Sequence, residues 1–233
     1  WVESLQLIPE MLNGSILWSA TGSMFAGKTY LSAEIDFGIQ LISDFKDFPD
    51  FFPMTIDFAR YANAGASGIQ ELSYGLCELI EILDQFSEKG ISVNQAMNQL
   101  AFHTAVGENH FPEIAKMKTM RSLLVDLISN LGGDINSEKI HLLASTSEWS
   151  KSLLDPNTSL IRQTYEAMAA VIGGCNSLWI KPVLGQDADP LTKRVSRNVS
   201  TILREEAFLD KVIDPASGAY FLETLATEIE KNV

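Results

Sequence analysis

The sequence predicts an α/β fold built from parallel βα units, and three observations carry that prediction. Short apolar stretches alternate along the chain with amphipathic stretches of helical period. One stretch, residues 54–83, passes from strand through tight turn into helix without interruption. Thr55, Ile56 and Phe58 favour extended backbone, Asn63-Ala64-Gly65 supplies turn chemistry, and Ile69, Leu72, Leu76, Leu79, Ile80 and Leu83 recur at helical spacing. Finally, 233 residues with 46% hydrophobic and 20% charged side chains suffice for one substantial core.

Taken in order, residues 15–20 form a short strand, followed by a helix from about Thr29 to Phe45. Residues 54–60 and 66–89 make the second unit. The third pairs 100–106 with 109–131, where Gly132-Gly133 stops the helix as a glycine in the left-handed region would. Residues 140–144 with 159–172 give the fourth unit and 178–183 with 190–208 the fifth, before a terminal helix from about Tyr220. Five units fall short of the eight that a closed barrel of this type uses. On pattern alone, an open doubly wound sheet fits equally well. The aromatic and acidic run DFKDFPDFF, residues 44–52, reads as an ordered loop with its rings tucked beneath it, or as a partner-facing patch.

In parallel βα folds the carboxyl ends of strands line the ligand site. Ala59, Arg60, Tyr61 and Asn63 are therefore where chemistry is expected. A second motif competes with that site. GSMFAGKT satisfies the phosphate-loop pattern with Gly22, Gly27, Lys28 and Thr29, and a strand precedes and a helix follows it. Against it, Met24 and Phe25 are bulky where the loop must wrap phosphate, and no acidic strand end supplies a second magnesium ligand.

Other titratable groups offer less. His103, His110 and His141 stand at unrelated spacings, so no metal site is expected from them, only surface or helix-start roles. Cys77 and Cys175 are expected as buried thiols. Glu205-Glu206 point about 100° apart on a helix and do not converge. Glu108 and Glu113 suit a helix start, where negative charge complements the dipole. The sequons at Asn13, Asn157 and Asn198 imply nothing by themselves.

A net charge of −13 argues against nucleic acid and anionic membrane surfaces as partners. No apolar run reaches the roughly 18 residues of a membrane span. Beginning at Trp1 rather than Met, the chain is expected to be a fragment.

Several segments together resemble one family. Residues 56–72 resemble the strand, AGA turn and QEL helix of the adenosylcobalamin-dependent acyl-CoA mutases, methylmalonyl-CoA mutase above all. GENHFPEIAKMK (107–118) is similar to that family's G-x-N-F-F-x-E-I-A-K-x-R helix. TYEAMAAVIGGCNSL (164–178) resembles its T-x-E-A-x-A-A-x-x-G-G-x-x-S-L segment, and residues 197–225 its R-N-x-x-x-I-L-x-E-E block ending D-P-A-x-G-S-Y-x-x-E-x-L. The likeness spans roughly 54–230 and implies a TIM-type (β/α)8 barrel, with this chain its later part as a single α/β domain over 1–233.

The departures inform on function. The family's Tyr-His pair, whose imidazole bonds the thioester carbonyl, falls on Ala59 and Arg60; a guanidinium cannot act as a neutral, tunable imidazole. The substrate-facing Gln of its Q-T-S segment falls on Ser145, and its coenzyme A-contacting Ser on Ala101. Lys116 matches a family Lys, and the Asn63-Ala64-Gly65-Ala66 turn reads more like the small subunit than the catalytic E-A-G-A.

The resemblance therefore implies a non-catalytic small subunit of a heterodimeric bacterial, cytoplasmic isomerase of propanoate metabolism, stabilising a catalytic large subunit that carries the cobalamin. The D-x-H-x-x-G cobalamin motif is absent here, so no cofactor is expected on this chain. A residual acyl-CoA pocket stays open as a question. Two alternatives remain: an active acyl-CoA mutase of altered specificity, in which Arg60 pairs with a carboxylate, and a nucleotide-binding module using Lys28.

Overall fold

The computed structural model describes residues 8–27, 31–152 and 154–233. Along the chain run β1 (Gly14–Ser15), α1 (Gly22–Phe25), α2 (Leu31–Asp44), β2 (Phe51–Phe52), β3 (Met54–Asp57), α3 (Ala59–Asn63) and α4 (Gly68–Glu88). Then come α5 (Val93–Met97), β4 (Leu100–Val106), α6 (His110–Asn130), β5 (His141–Thr146), α7 (Pro156–Ile172), β6 (Ser177–Trp179), α8 (Pro190–Glu205) and α9 (Tyr220–Asn232). The predicted α/β fold is borne out. Strands β3, β4, β5 and β6 neighbour one another in chain order. A doubly wound sheet reverses its order at a switch point, whereas an unreversed succession of βα units is the order of a TIM-type barrel, here in part.

Packing gathers into two compact units. The first comprises Trp1–Asp57, Gly75–Phe102 and Leu124–His141. Within it β1 and β2 are parallel, with Gly14 opposite Phe51 and Ser15 opposite Phe52. The ladder continues beyond those short strands: Ile16 N donates to Phe52 O at 2.9 Å and Thr55 N to Trp18 O at 2.7 Å. Pro53 separates β2 from β3 because it has no N–H to contribute. The predicted strand over 15–20 is thus shorter, and the extended structure expected over 54–60 lies earlier, as β2 and β3 within 51–57. Phe45 packs its ring on Phe48 and Phe51, with centroids 5.5 and 4.9 Å apart, so the 44–52 run does tuck its rings together. Ile35 and Ile42 of α2, Met54 and Ile56 of β3 and Leu79, Ile82 and Phe86 of α4 are buried. Gly38 lets α2 approach closely, since a Cβ there would stand 3.3 Å from Met54 Sδ and 3.4 Å from Phe86 Cζ.

The second unit comprises Phe58–Tyr74, His103–Leu123 and Leu142–Val233. Strands β5 and β6 are parallel, with Leu143, Ala144 and Ser145 opposite Ser177, Leu178 and Trp179. Asn176 extends their ladder: its N donates to Leu142 O at 2.8 Å and its Oδ1 accepts from Leu142 N at 2.9 Å. Behind them Val106, Ile114, Met117, Ala144, Ala169 and Ala170 form one apolar cluster with Ala216 and Leu222. Ala167, Ile180, Val199 and Leu203 form another that seats α8.

Several boundaries moved for local reasons. Residues 58–60, expected as strand, turn helical, because Phe58 already adopts right-handed helical angles and α3 follows at once. Helix α7 begins at Pro156, three residues early, where Asp155 Oδ1 accepts from Thr158 N at 3.1 Å and Pro occupies the first turn. Strand β6 lies at Ser177–Trp179 rather than 178–183.

Candidate functional site

Helix α3 and the loops that follow β5 and β6 are tied together inside the second unit. Arg60 sits half-buried in the first turn after β3, on α3, with Ala59 buried before it. Asn63 Oδ1, at the end of that helix, accepts from Glu148 N at 2.9 Å. Two residues on, Gly65 adopts φ +98, and a Cβ there would stand 3.1 Å from Trp149 Cη2. The indole of Trp149 therefore lies against bare backbone, which only glycine permits. Lys181, past β6, closes the same rim: its N donates to Thr146 Oγ1 at 3.0 Å, and its Nζ reaches Glu148 Oε1 at 2.6 Å and lies 4.9 Å from the Trp179 ring centroid.

Side chains alternate across the strands, and their partners assign the two faces. On β4, Thr104 Oγ1 donates to Glu71 Oε1 of α4 at 2.6 Å, and Val106 packs on α6, so those residues face the helices. Ala144 of β5 joins the same apolar cluster. His103 and Ser145 consequently share the opposite, inner face. His103 Nε2 and Ser145 Oγ lie 2.9 Å apart and both residues are buried.

On the helix side a buried charge network holds β4 in place. Lys116 Nζ contacts Glu71 Oε2 at 2.6 Å, Glu113 Oε2 at 2.7 Å and Ala105 O at 2.6 Å. Glu71 Oε1 accepts from Ala105 N at 3.1 Å as well. Burial pulls the Lys116 amine down, but the carboxylates of Glu113 and Glu71 outweigh it and hold it above the ordinary lysine range. For Glu71 burial dominates and raises the carboxyl despite Lys116. Lys116 is thus engaged in structure, by hydrogen bonds to Glu71 and Ala105 O and an ion pair with Glu113.

A further network anchors the loop after β5. Ser147 N donates to Val106 O at 2.9 Å and Ser147 Oγ accepts from Trp149 N at 3.1 Å. Ser150 Oγ donates to Glu166 Oε1 of α7 at 2.5 Å, and Lys151 pairs with the other carboxylate oxygen. Burial, partly offset by this pair, raises the Glu166 carboxyl and lowers the Lys151 amine.

The sequence-predicted residues therefore enter separate networks rather than one cluster: Asn63 with Glu148, Ser145 with His103, and Lys116 with Glu71. Ala101 is buried on β4. Of the phosphate-loop pattern, Gly22 opens the short helix α1 and Gly27 has φ +76, while Lys28 and Thr29 lie outside the described residues. The buried carboxylate of Glu78 meets this segment, accepting from Thr21 Oγ1 at 2.5 Å and Ser19 Oγ at 3.2 Å.

Two expectations are corrected. His103 and His141 are buried on strands rather than at surfaces or helix starts, His141 stacking on Phe52 with centroids 4.6 Å apart. Cys77 is exposed, since it stands two residues from Leu79 and so about 200° round α4 from the buried stripe. Cys175 is half-buried as a residue, and burial pushes its thiol up to about 12. Among the described residues no group of three or more His, Cys, Asp and Glu is placed to hold a metal ion, and no helix is long and apolar enough to cross a membrane.

The profile of the family described as methylmalonyl-CoA mutase matches residues 23–233. The chain belongs to the methylmalonyl-CoA mutase family. It is 35% identical over 188 residues to the methylmalonyl-CoA mutase small subunit of Porphyromonas gingivalis, covering 79% of this chain and 30% of that one. The small subunit of Streptomyces virginiae is 34% identical over 78% of this chain and 30% of its own. The mitochondrial methylmalonyl-CoA mutase of Bos taurus is 35% identical over 79% of this chain and 25% of its own. The chain thus spans less than a third of the length of these three relatives. Because small subunits and mitochondrial mutases match at the same identity, overall similarity does not choose between them, and the choice falls to individual residues.

Proposed function

We propose that the chain is part of the non-catalytic small subunit of a heterodimeric methylmalonyl-CoA mutase, which stabilises a catalytic large subunit isomerising methylmalonyl-CoA and succinyl-CoA. The observation that carries this reading is Arg60, a guanidinium on the first turn after β3 where the family resemblance expects an imidazole. Ser145 adds to it, since this hydroxyl replaces a long substrate-facing amide and is engaged by His103.

Adenosylcobalamin supplies the radical chemistry of this isomerisation when bound, and the residues here do not fit that group. The D-x-H-x-x-G motif is absent from the sequence, and each imidazole packs within the chain: His103 on Ser145, His141 on Phe52, and His110 edge-on to Phe111 and Tyr165. On this reading the cofactor sits on the large subunit. This chain's own contribution is to bury an apolar face against that partner and shift its folding equilibrium by mass action.

The test is co-expression with a cobalamin-binding large subunit. Co-purification at fixed stoichiometry, with turnover by the pair and none by this chain plus adenosylcobalamin, is the expected result. Isotope exchange into an acyl-CoA by this chain alone would instead favour an active mutase of altered specificity. Arg60→His should leave the chain inactive, because position 145 still carries a serine hydroxyl in place of the long amide.

A further inference from the structure

We infer that two copies of this chain dock through complementary charged stripes, the exposed face of α8 on one copy meeting the exposed face of α4 on the other. The inference goes beyond the small-subunit reading and does not depend on it. In a chain of net charge −13, α8 carries Lys193, Arg194, Arg197 and Arg204 and no acidic residue from Pro190 to Arg204. All four cations are exposed, because α8 buries a different side through Thr192, Ser196, Val199 and Leu203. Lys193, Arg197 and Arg204 fall within about 40° of one another round the helix and so form one stripe. Local helix physics disfavours this arrangement: like charges four residues apart repel, and a cation near a helix N-terminus opposes the macrodipole. Among the described residues no ion pair engages Arg194 or Arg197, and Arg204 meets only its exposed neighbour Glu205. Surface residues that break local rules in this way point to a role outside their own helix.

The complement lies on α4. Glu81, Asp84 and Glu88 are exposed within about 60° of one another, and among the described residues none of them is in an ion pair; Gln85 reaches Glu81 at 3.3 Å. Asp84 and Glu88 again repel at i,i+4, and Glu88 ends the helix, where a carboxylate opposes the macrodipole. The spacings match. Arg197 and Arg204 stand seven residues apart, as do Glu81 and Glu88, which is about 10.5 Å along either helix at about 1.5 Å per residue. Laid side by side, two guanidinium groups meet two carboxylates. A two-fold pair of chains makes that contact twice, so a second copy is the occupant that satisfies both stripes at once. Charges that repel along each helix then attract between copies. Exposed ion pairs are individually weak, so the association is weak and sensitive to salt.

The experiment is analytical sedimentation of the full chain and of two charge-reversed variants, Arg197→Glu/Arg204→Glu and Glu81→Lys/Glu88→Lys. Wild type at about 0.1–0.5 mM in low salt should form dimers, weakened at least about tenfold in about 0.5 M salt. Each variant alone should be monomeric with a melting temperature close to that of wild type, because the reversals at 81, 88 and 197 place opposite charges at neighbouring helical positions. Mixing the two variants in equal amounts should restore dimers containing one of each. Should a double variant fail to fold, the single reversals Arg197→Glu and Glu88→Lys are mixed instead, with the same expectation. Dimers that survive either reversal, or a mixture that stays monomeric, would overturn the inference. So would a monomeric wild type, including one that binds polyglutamate through α8, which would assign the stripe to a foreign acidic partner. Co-purification with a large subunit is a separate readout, so its failure would refute the small-subunit reading and leave this contact standing.

Discussion

Replacing Lys116 with methionine would expose how much of the fold depends on one buried ammonium. Lys116→Met leaves the carboxylates of Glu71 and Glu113 without this cation and removes a donor from Ala105 O. Thr104 Oγ1 and Ala105 N would still serve Glu71. Removing one partner of a buried ion pair costs about 3–5 kcal/mol, because the remaining charge stays desolvated. For a chain of this size that corresponds to a drop of about 6–20 °C in melting temperature. The pH dependence gives the sharper test. Burial already raises the Glu71 carboxyl, and loss of Lys116 must raise it further. A carboxyl whose folded pKa lies above its unfolded value favours the folded state when protonated, and that contribution fades as pH rises through the folded pKa. Urea melts at pH 5 and pH 8 should therefore show a larger gap between wild type and variant at pH 8. Adding Glu71→Gln to the variant should recover part of the loss at pH 8. A single variant within about 1 kcal/mol of wild type, or a gap that does not change with pH, would refute the charge argument.

Three further outcomes are expected. Gly65→Ala should cost about 1–3 kcal/mol in urea melts, from positive φ and from the Trp149 ring 3.1 Å away, and Trp149→Ala should relieve only the second part. Glu166→Gln removes the partner of Lys151, so hydrogen exchange over residues 147–152 should quicken while β4 and β5 stay protected. ATP or GTP should leave the melting temperature unchanged, given the bulky Met24 and Phe25 where the loop must wrap phosphate; a rise abolished by Lys28→Ala would restore the nucleotide reading.

How much of this was legible in the sequence depends on the range of the interactions. Strand β4 coincides with its predicted span and α6 differs from its own by one residue at each end, because long periodic segments announce themselves locally. Helix α5 escaped, although Ser92 and Gln95 form a capping box that names its start. Strand β2 escaped because its partner is a separate segment far back in sequence and Pro53 cuts it short. The site was harder still. Glu71 and Lys116 are 45 residues apart and His103 and Ser145 are 42 apart, so no spacing rule could pair them. Only the family likeness marked Lys116 and Ser145, and it was silent about the imidazole beside the latter.

The indole resting on Gly65 has a practical consequence. Trp149 is 69% exposed yet held by its own backbone bond and by a loop fastened at Asn63 and Lys181. Its fluorescence is thus a built-in optical gauge at the rim of the strands. Anything that settles on that rim or pries the loops apart should change its emission, and subtracting the Trp149→Phe spectrum isolates it from the chain's other three tryptophans.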